Sequence, residues 1–275
     1  MLRFLAGLVG VGFVSALLIA FLMPREKVEP SAASVYHLSE KEVKFSFDGP
    51  FGKYDNAQLQ RGFQVYKEVC SACHSMKLVA FRDLEEIGFS KPEVKAIAKQ
   101  WAVEVPSINP DTGEAATRKA LPSDYFPSPY ANETAARAAN NNALPPDMSL
   151  LAKAREGGAH YIYSIVTGYQ VQPADLLKRF PDAKTPTGLH YNPYFANLNI
   201  AMPPPLVADG QVTYADGKKA TVDQMAQDAS AFLMWAAEPH MEDRKKTGFR
   251  VLVFLLLFGS LVYLTKRKVW EGVAH

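Results

Sequence analysis

A long apolar run near the C-terminus is the clearest pattern of hydrophobic and polar positions in this chain. Residues 248–265 carry a single charge, at Arg250, and basic clusters at 244–246 and 266–268 flank them. At about 1.5 Å of helical rise per residue, the run spans about 27 Å, close to the hydrocarbon thickness of a bilayer. The basic flanks disfavour a buried core helix. We therefore predict a transmembrane anchor at about 248–265, within a C-terminal segment, 244–275, that ends in a cytoplasmic tail.

A second apolar run lies at the N-terminus, where Phe4–Met23 holds no charged residue after Arg3. This run is longer than the apolar region of most secretory signals, and the small residues 31–33 lie far past its end. Residues 1–27 are therefore predicted to be either a cleaved signal sequence or a retained signal-anchor helix, and both forms would export the central domain. The run lacks the Arg- and Ser-rich pattern of a mitochondrial transit peptide, which favours a bacterial periplasm for that domain.

Shorter helical patterns separated by polar loops occupy the region between the apolar runs. Residues 28–50 contain Pro, Ser and mixed charges and are predicted to be a linker. Helices are predicted from Asp55 or Asn56 to about residue 71, from Ser149 through LLAKAR, over HYIYSIVTGY, and from the T-x-x-Q capping box at Thr221 through VDQMAQDASAFLMWAAE. Stretches 102–134 and 170–220 have loop composition, and no run alternates as a strand should. The predicted fold class is mainly α: a helical domain at 51–243 with long loops, followed by the C-terminal transmembrane helix.

Charge is unevenly distributed along the chain. Lys and Arg number 30 and Asp and Glu 28, a net charge of +2. Residues 28–243 hold 26 acidic and 20 basic side chains, whereas both ends are basic. An acidic domain argues against nucleic-acid binding and fits contact with a basic protein partner, although a merely solvated acidic face is the alternative. The docking candidates are the acidic residues between 83 and 114: Asp83, Glu85, Glu86, Glu93, Glu104, Asp111 and Glu114.

Both cysteines of the chain lie in Cys70-Ser71-Ala72-Cys73-His74, the C-x-x-C-H pattern of covalent haem c attachment. Positions three apart share one face of a helix, so both thiols can form thioethers with one haem. His74 can ligate the iron from the same side. A redox dithiol would want a βαβ setting, and a zinc site would want two further close ligands. The sequence suggests neither, so we predict one covalently attached haem c.

The second axial ligand has to come from a distant part of the chain. Met202 is the favoured candidate because it lies in AMPPPL, outside any predicted helix, in backbone that prolines stiffen. A histidine ligand and an iron without a strong sixth ligand remain alternatives. The other residues considered are Met76, Met148, Met225, Met234, Met241, His160, His190 and His240. Haem propionates require cations or donors, for which Arg137 and Arg155 are candidates.

With these motifs placed, the chain resembles the cytochrome c1 family, the haem subunits of cytochrome bc1 complexes. The resemblance runs from about residue 51 to the C-terminal tail through RGFQVYKEVCSACHSM, SDYFPSPY, ARAANNNALPPDMS, AREGGAHYIYSIVTGY, YNPYF, AMPPPL and FLMWAAEP. It implies a cytochrome c-type haem domain in which Cys70 and Cys73 hold the haem, and His74 and Met202 ligate its iron. The other implied haem contacts are Asn140, Pro145, Pro146, Arg155 (paired with a propionate), Tyr161, Phe195 and Ile200.

The resemblance also implies a function and a location. The expected reaction is transfer of single electrons from a Rieske iron–sulfur protein to a soluble or membrane-bound c-type cytochrome, as one subunit of quinol–cytochrome c oxidoreductase and without substrate turnover of its own. Cytochrome b would be a partner in a dimeric complex, with the haem domain on the periplasmic side of a bacterial inner membrane. The alternative is a membrane-tethered haem c protein that acts alone through an open iron site. Unlike some bacterial relatives, this chain has no further cysteine pair to stabilise the Met202 region.

Overall fold

Helices dominate the architecture of the protein. The computed structural model describes residues 2–23 and 29–273. Its α-helices are α1 (Leu2–Leu22), α2 (Ala32–Tyr36), α3 (Asn56–Glu68), α4 (Lys91–Gln100), α5 (Glu133–Ala139), α6 (Ala159–Thr167), α7 (Ala174–Arg179), α8 (Val222–Ala237) and α9 (Met241–Val269). Shorter 3₁₀ turns lie at Cys70–Ala72, Phe81–Ile87 and Pro181–Ala183. The predicted mainly helical fold class is confirmed, while the boundary predicted between residues 27 and 28 lies outside the described residues.

Within the described residues, three small antiparallel sheets lie between the helices. They pair β1 (Met76–Ala80) with β4 (Tyr125–Phe126), β2 (Val105–Ile108) with β3 (Ala115–Arg118), and β5 (His190–Tyr191) with β6 (Asn199–Ile200). The sequence predicts none of these strands, because no run in it alternates as a strand should. These strands have five residues or fewer, and β1 buries neighbouring residues rather than alternate ones. Burial does alternate along β2 and β3, but their sequences VPSI and AATR do not alternate apolar and polar residues, so the period-2 signal is absent.

Helices α3 and α8 cross at the centre of the domain. Asp55 and Thr221 cap α3 and α8 through side-chain hydrogen bonds to backbone N–H groups, as the sequence predicts. The predicted capping box at Thr221 is only half formed, because Thr221 N donates to Lys219 O instead of to the Gln224 side chain. Gly62 lies at the crossing, where an added Cβ would lie 2.0 Å from the carbonyl oxygen of Asp228. The two helices can approach this closely because glycine has no side chain. An aromatic cluster surrounds the crossing: Phe63, Tyr66, Phe81, Trp101, Phe126 and Phe232.

A buried ion pair also joins α3 to α8. Arg61, which is 7% exposed, donates from Nε to Asp228 at 2.9 Å and from Nη1 to Asp216 at 2.8 Å. The Asp228 side chain is fully buried, and its second oxygen accepts from Gln224 Nε2 at 2.7 Å. Because Asp216 lies in the loop that precedes α8, Arg61 also fixes that loop to α3.

Arg61→Ala is expected to lower the free energy of unfolding by about 3–5 kcal/mol, because it leaves the Asp228 carboxylate buried without its cation. Asp216→Ala is the matched control, since it removes a partner that is 42% exposed and should cost less than about 1 kcal/mol. Urea denaturation of the haem-loaded protein, followed by far-ultraviolet circular dichroism, measures both losses. Equal losses in the two variants would contradict the expectation that the buried Arg61–Asp228 contact contributes more stability than the Arg61–Asp216 contact.

The helix predicted from Ser149 through residue 155 is wrong, because this segment forms a series of turns. The Ser149 hydroxyl accepts a hydrogen bond from Leu78 N at 3.0 Å instead of capping a helix. The turns end at Gly157 and Gly158, which both have positive φ, just before α6 begins. The residue that looks like a helix cap therefore fastens the turns to β1.

Part of the predicted linker at 28–50 packs onto the helical domain. Lys41 N donates to Ser164 Oγ at 2.7 Å, a contact between residues 123 positions apart. Phe45 and Phe47 are buried, and their rings stack with centroids 4.9 Å apart. Contacts with the domain begin earlier still, in α2, where the Tyr36 hydroxyl donates to Asp175 Oδ2 at 2.7 Å. A composition rich in Pro and Ser cannot reveal such long-range contacts.

Two described helices are long and apolar enough to cross a membrane, over Arg3–Leu22 and Met241–Val269. Helix α9 contains the predicted anchor at 248–265 but begins earlier. Its first turn packs on the domain, where Met241 is buried and Tyr54 N donates to Glu242 Oε1 at 3.0 Å. The anchor is therefore continuous with a helix that starts inside the domain.

Candidate haem site

Both cysteines lie on one tight turn at the end of α3. The helix ends at Glu68, and Cys70–Ala72 forms a 3₁₀ turn. Cys73 N and His74 N donate to Cys70 O at 3.1 and 2.9 Å. Because residues three apart eclipse each other in a 3₁₀ turn, the two thiols lie on the same side of it. Cys70 is half-buried at the edge of the main hydrophobic core, and Cys73 is exposed.

His74 is oriented by a backbone carbonyl. The residue is 8% exposed, and its Nδ1 lies 2.9 Å from Pro146 O. Because a carbonyl oxygen can only accept, this contact places the ring proton on Nδ1 and leaves the Nε2 lone pair for a metal ion. Burial lowers the pKa of His74, which favours the neutral imidazole. Metal-binding histidines are commonly oriented in this way by a partner of the second ring nitrogen.

Asp147, next to Pro146, fastens these two segments together. Its carboxylate accepts hydrogen bonds from Ser75 Oγ at 2.8 Å, Lys77 N at 2.9 Å and Ser149 N at 2.9 Å. Burial alone would raise the pKa of Asp147, but these hydrogen bonds hold it below its usual value. Asp147 is not among the residues that the sequence predicts for the site. Its D-x-S spacing signals the local turn to Ser149, but nothing in the spacing points to Ser75.

The backbone around Met202 is fixed by a tyrosine and a buried leucine. Met202 is half-buried two residues after β6, and Tyr169 donates its hydroxyl hydrogen to Met202 O at 3.0 Å. Leu206 lies in one buried cluster with Val65, and Val69 packs against that cluster. Since Val65 and Val69 lie at the end of α3, the Met202 segment rests against the part of the helix that leads into the cysteine turn.

Three of the predicted haem contacts lie next to these elements. The carbonyl of Pro146 contacts His74 Nδ1. Ile200 is half-buried in β6, which leads into AMPPPL. Tyr161 is half-buried in α6 and packs against the same hydrophobic core as Cys70. The structure thus places Pro146 beside His74, and it packs Tyr161 and Cys70 against one hydrophobic core.

The remaining predicted contacts lie at the end of α5 and just after it, in the turns before α6, and in the loop after β5. Asn140 ends α5, and Pro145 and Phe195 are half-buried. Arg155 is exposed and lies beside the Tyr161 hydroxyl. Its Nη1 donates to Ala154 O at 3.0 Å, and its guanidinium also bonds the Tyr161 hydroxyl, so some of its five N–H donors remain for an anion. Arg155 therefore has the exposure and the donors that a propionate partner needs.

The donor set fits a haem c better than the two other sites that the same residues suggest. Burial and the neighbouring Cys73 raise the pKa of Cys70 to about 12, whereas a redox-active thiolate requires a lowered pKa. Among the described residues, no group of three His, Cys, Asp or Glu side chains is placed to hold a metal ion such as zinc. Two thiols on one side of a turn, an imidazole with a free Nε2 and a thioether in a fixed loop are the groups that hold a c-type haem.

Comparison with known proteins gives relatives along most of the chain. A family model described as the cytochrome C1 family matches residues 45–273. The chain is 46% identical to cytochrome c1 of Rhodospirillum rubrum, and the match covers 84% of this chain and 87% of that protein. It is 41% identical to a Candida albicans protein named cytochrome b-c1 complex catalytic subunit, mitochondrial, over 99% of this chain and 91% of that protein.

One relative is much longer than this chain. The protein named cytochrome b/c1 from Bradyrhizobium diazoefficiens is 49% identical over 82% of this chain. The match covers 35% of that protein's own length. The similarity therefore concerns one portion of the longer protein, and the activity of its whole length is not carried over to this chain.

Proposed function

Because this chain belongs to the cytochrome c1 family, we propose that it is a membrane-anchored electron carrier that takes single electrons from a Rieske iron–sulfur protein and passes them to a c-type cytochrome. It acts as the electron-transfer subunit of a quinol–cytochrome c oxidoreductase, without substrate turnover of its own. The observation that supports this most is the cysteine turn with His74 beside it, whose Nδ1 is engaged by Pro146 O.

The chain's own residues have distinct roles in this proposal. One covalently attached haem c supplies reversible one-electron chemistry when it is bound. Cys70 and Cys73 would hold it through thioethers, while His74 and Met202 would ligate its iron. His74 presents Nε2 because its Nδ1–H donates to Pro146 O. Ligation of the iron by Met202 together with His74 would favour electron transfer at a raised potential over binding of small ligands.

The surrounding side chains would exclude water and balance charge. Arg155 would neutralise a propionate with its exposed guanidinium. The apolar and amide groups proposed to line the haem are those of Asn140, Pro145, Pro146, Tyr161, Phe195 and Ile200. A dry, apolar environment limits solvent reorganisation and helps to set the potential.

The apolar helices support a membrane arrangement. We propose that α9 anchors the domain, which includes α2 and extends to about residue 243, on the periplasmic side of a bacterial inner membrane. Residues 1–27 act as an export signal, either cleaved or retained as a signal anchor. Cytochrome b is the proposed partner of the anchor within a dimeric complex, and one relative is named as a subunit of a cytochrome b-c1 complex.

The acidic docking candidates divide into two groups. Short hydrogen bonds of 2.6–2.7 Å within the domain engage three of them: Asp83, Glu93 and Glu104. The other four are exposed, Glu85 and Glu86 on a 3₁₀ turn, and Asp111 and Glu114 near the tip of the β2–β3 hairpin. We propose that these four meet a basic acceptor, because their charge faces solvent.

Purification in mild detergent tests the assignment to a complex. A haem b subunit and an iron–sulfur subunit are expected to co-elute with this chain.

Carbon monoxide binding to the reduced protein tests the alternative of an open iron site. Ready binding would favour a haem protein that acts alone, because a His/Met iron has no free axial position.

Cys70→Ala and Cys73→Ala are each expected to convert a doubly attached haem to a singly attached one, and the double variant should release it. The thiols form the covalent bonds, whereas His74 and the pocket do not. Extraction with acidic acetone measures the result: haem should stay with the parent protein and leave the double variant completely. Haem that resists extraction from the double variant would contradict attachment at this turn.

A further inference from the structure

Phe51 lies at the tip of a tight loop beside the start of the anchor helix. The Phe51 loop is formed by residues 47–52, and Phe51 itself is 74% exposed. Its ring lies 5.8 Å from the ring of Phe249, centroid to centroid, at an angle of 69°. A single exposed phenylalanine is ordinary on a protein surface, so its position next to the anchor is the informative observation.

Lys245 fixes the Phe51 loop to α9. Its ammonium group donates to Phe47 O at 2.6 Å, to Gly49 O at 2.7 Å and to Gly52 O at 3.3 Å. Three carbonyls that converge on one ammonium hold the loop one helical turn away from Phe249. The loop is also tight, because a Cβ on Gly52 would lie 2.2 Å from the carbonyl oxygen of residue 48.

The start of α9 is also fixed to the haem domain. Tyr54 N donates to Glu242 Oε1 at 3.0 Å, and the Tyr54 hydroxyl donates to Glu238 O at 3.0 Å. Arg244 and Lys153 both pair with the carboxylate of Glu238. The domain, the Phe51 loop and the start of the anchor therefore form one unit. The depth of the anchor in the bilayer thus determines how far the loop lies from the bilayer surface.

The length of the apolar part of α9 sets that depth. Residues 249–265 are uncharged apart from Arg250, and the basic cluster 266–268 follows. At about 1.5 Å per residue they span about 25 Å, slightly less than the ~30 Å of hydrocarbon in a bilayer. Because this stretch is shorter than the hydrocarbon layer, all of its residues are needed to cross that layer. Phe249, at its first position, therefore lies at the membrane boundary. Phe51, which contacts Phe249, then lies at the same level.

We propose that the Phe51 loop lies in the lipid headgroup layer and contacts lipid. This second membrane contact, besides the anchor, would fix the orientation of the haem domain relative to the bilayer. The inference rests on the proposed function only through the membrane anchor. Aromatic side chains are favoured at this interface. Phe249, which the loop contacts, begins the row of exposed apolar side chains along α9, and this continuity favours lipid as the partner.

Site-directed spin labelling tests this in the haem-loaded full chain in liposomes. Both native cysteines are consumed by the haem, so Phe51→Cys gives one reactive thiol, and Pro50→Cys gives a second label at the same tip. Ile108→Cys is the solvent control at 69% exposure, and Leu256→Cys, at 71%, is the lipid control. The measurement compares collisions with oxygen, which concentrates in the bilayer, and with a water-soluble nickel chelate.

The label at residue 51 is expected to give an oxygen-to-nickel ratio between those of the two controls, several-fold above that at Ile108. A ratio equal to that at Ile108 would overturn the proposal. So would a label that both reagents fail to reach when the measurement is repeated in the purified complex, because a protein subunit would then cover the loop. A water-like ratio at Leu256 would overturn the anchor itself, and this inference with it.

Discussion

Replacing Met202 with leucine is expected to lower the haem reduction potential by on the order of 0.2–0.3 V, within the ~0.8 V range over which axial ligands set haem potentials. Leucine is close to methionine in volume, so the AMPPPL segment should keep its packing. The thioether is lost, however, and with it the axial ligand that raises the potential. Covalent haem should persist because Cys70 and Cys73 are unchanged. A redox titration followed by haem absorbance gives the shift.

Met148→Leu and Met225→Leu are the matched controls for this variant. Both side chains are buried in hydrophobic clusters, so their replacement should leave the potential nearly unchanged. The Met202→Leu protein should also bind carbon monoxide when reduced, since one axial position is then open. An unchanged potential would remove Met202 from the site, and a fall in the Met148 variant alone would move the ligand to that residue.

The parts of the fold that sequence reasoning could anticipate depend on local signals. The C-x-x-C-H turn needs five consecutive residues, and its thiols share a side whether the backbone is α-helical or, as found, a 3₁₀ turn. Helices α3 and α8 could be predicted because Asp55 and Thr221 cap them and their apolar residues recur at helical spacing. In each case the contact that matters lies within a few residues along the chain.

Features that depend on distant partners could not be anticipated. Asp147 accepts a hydrogen bond from a residue 70 positions away in the sequence, just after His74. Lys41 donates to Ser164, which is 123 positions away. Ser149 resembles a helix cap in sequence, yet its hydroxyl bonds Leu78 N of β1 instead. Tertiary contacts therefore decide which of two local uses a polar side chain adopts. They also decide how His74 is oriented, a detail the motif itself does not specify.

Electron transfer from this domain to a basic c-type cytochrome is expected to slow by about 10- to 100-fold when the ionic strength rises from about 0.01 to about 1 M. Residues 28–243 carry six more acidic than basic side chains, and the Debye length falls from ~30 Å to ~3 Å over this range. The attraction that brings a basic partner to the acidic domain is therefore screened. Stopped-flow measurement of the second-order rate constant at several salt concentrations gives the dependence, and a flat profile would refute steering.

Neutral variants locate the charges responsible for this effect. Glu85→Gln with Glu86→Gln, and Asp111→Asn with Glu114→Gln, each remove two exposed charges from one of the proposed docking positions. Glu133→Gln with Asp182→Asn removes the same charge from exposed positions outside 83–114 and is the matched control. At low salt at least one docking pair should slow the reaction several-fold and flatten its salt dependence, because nearby charges contribute most to the encounter. Equal slowing by all three pairs would mean that net charge steers the partner, without a defined acidic docking surface.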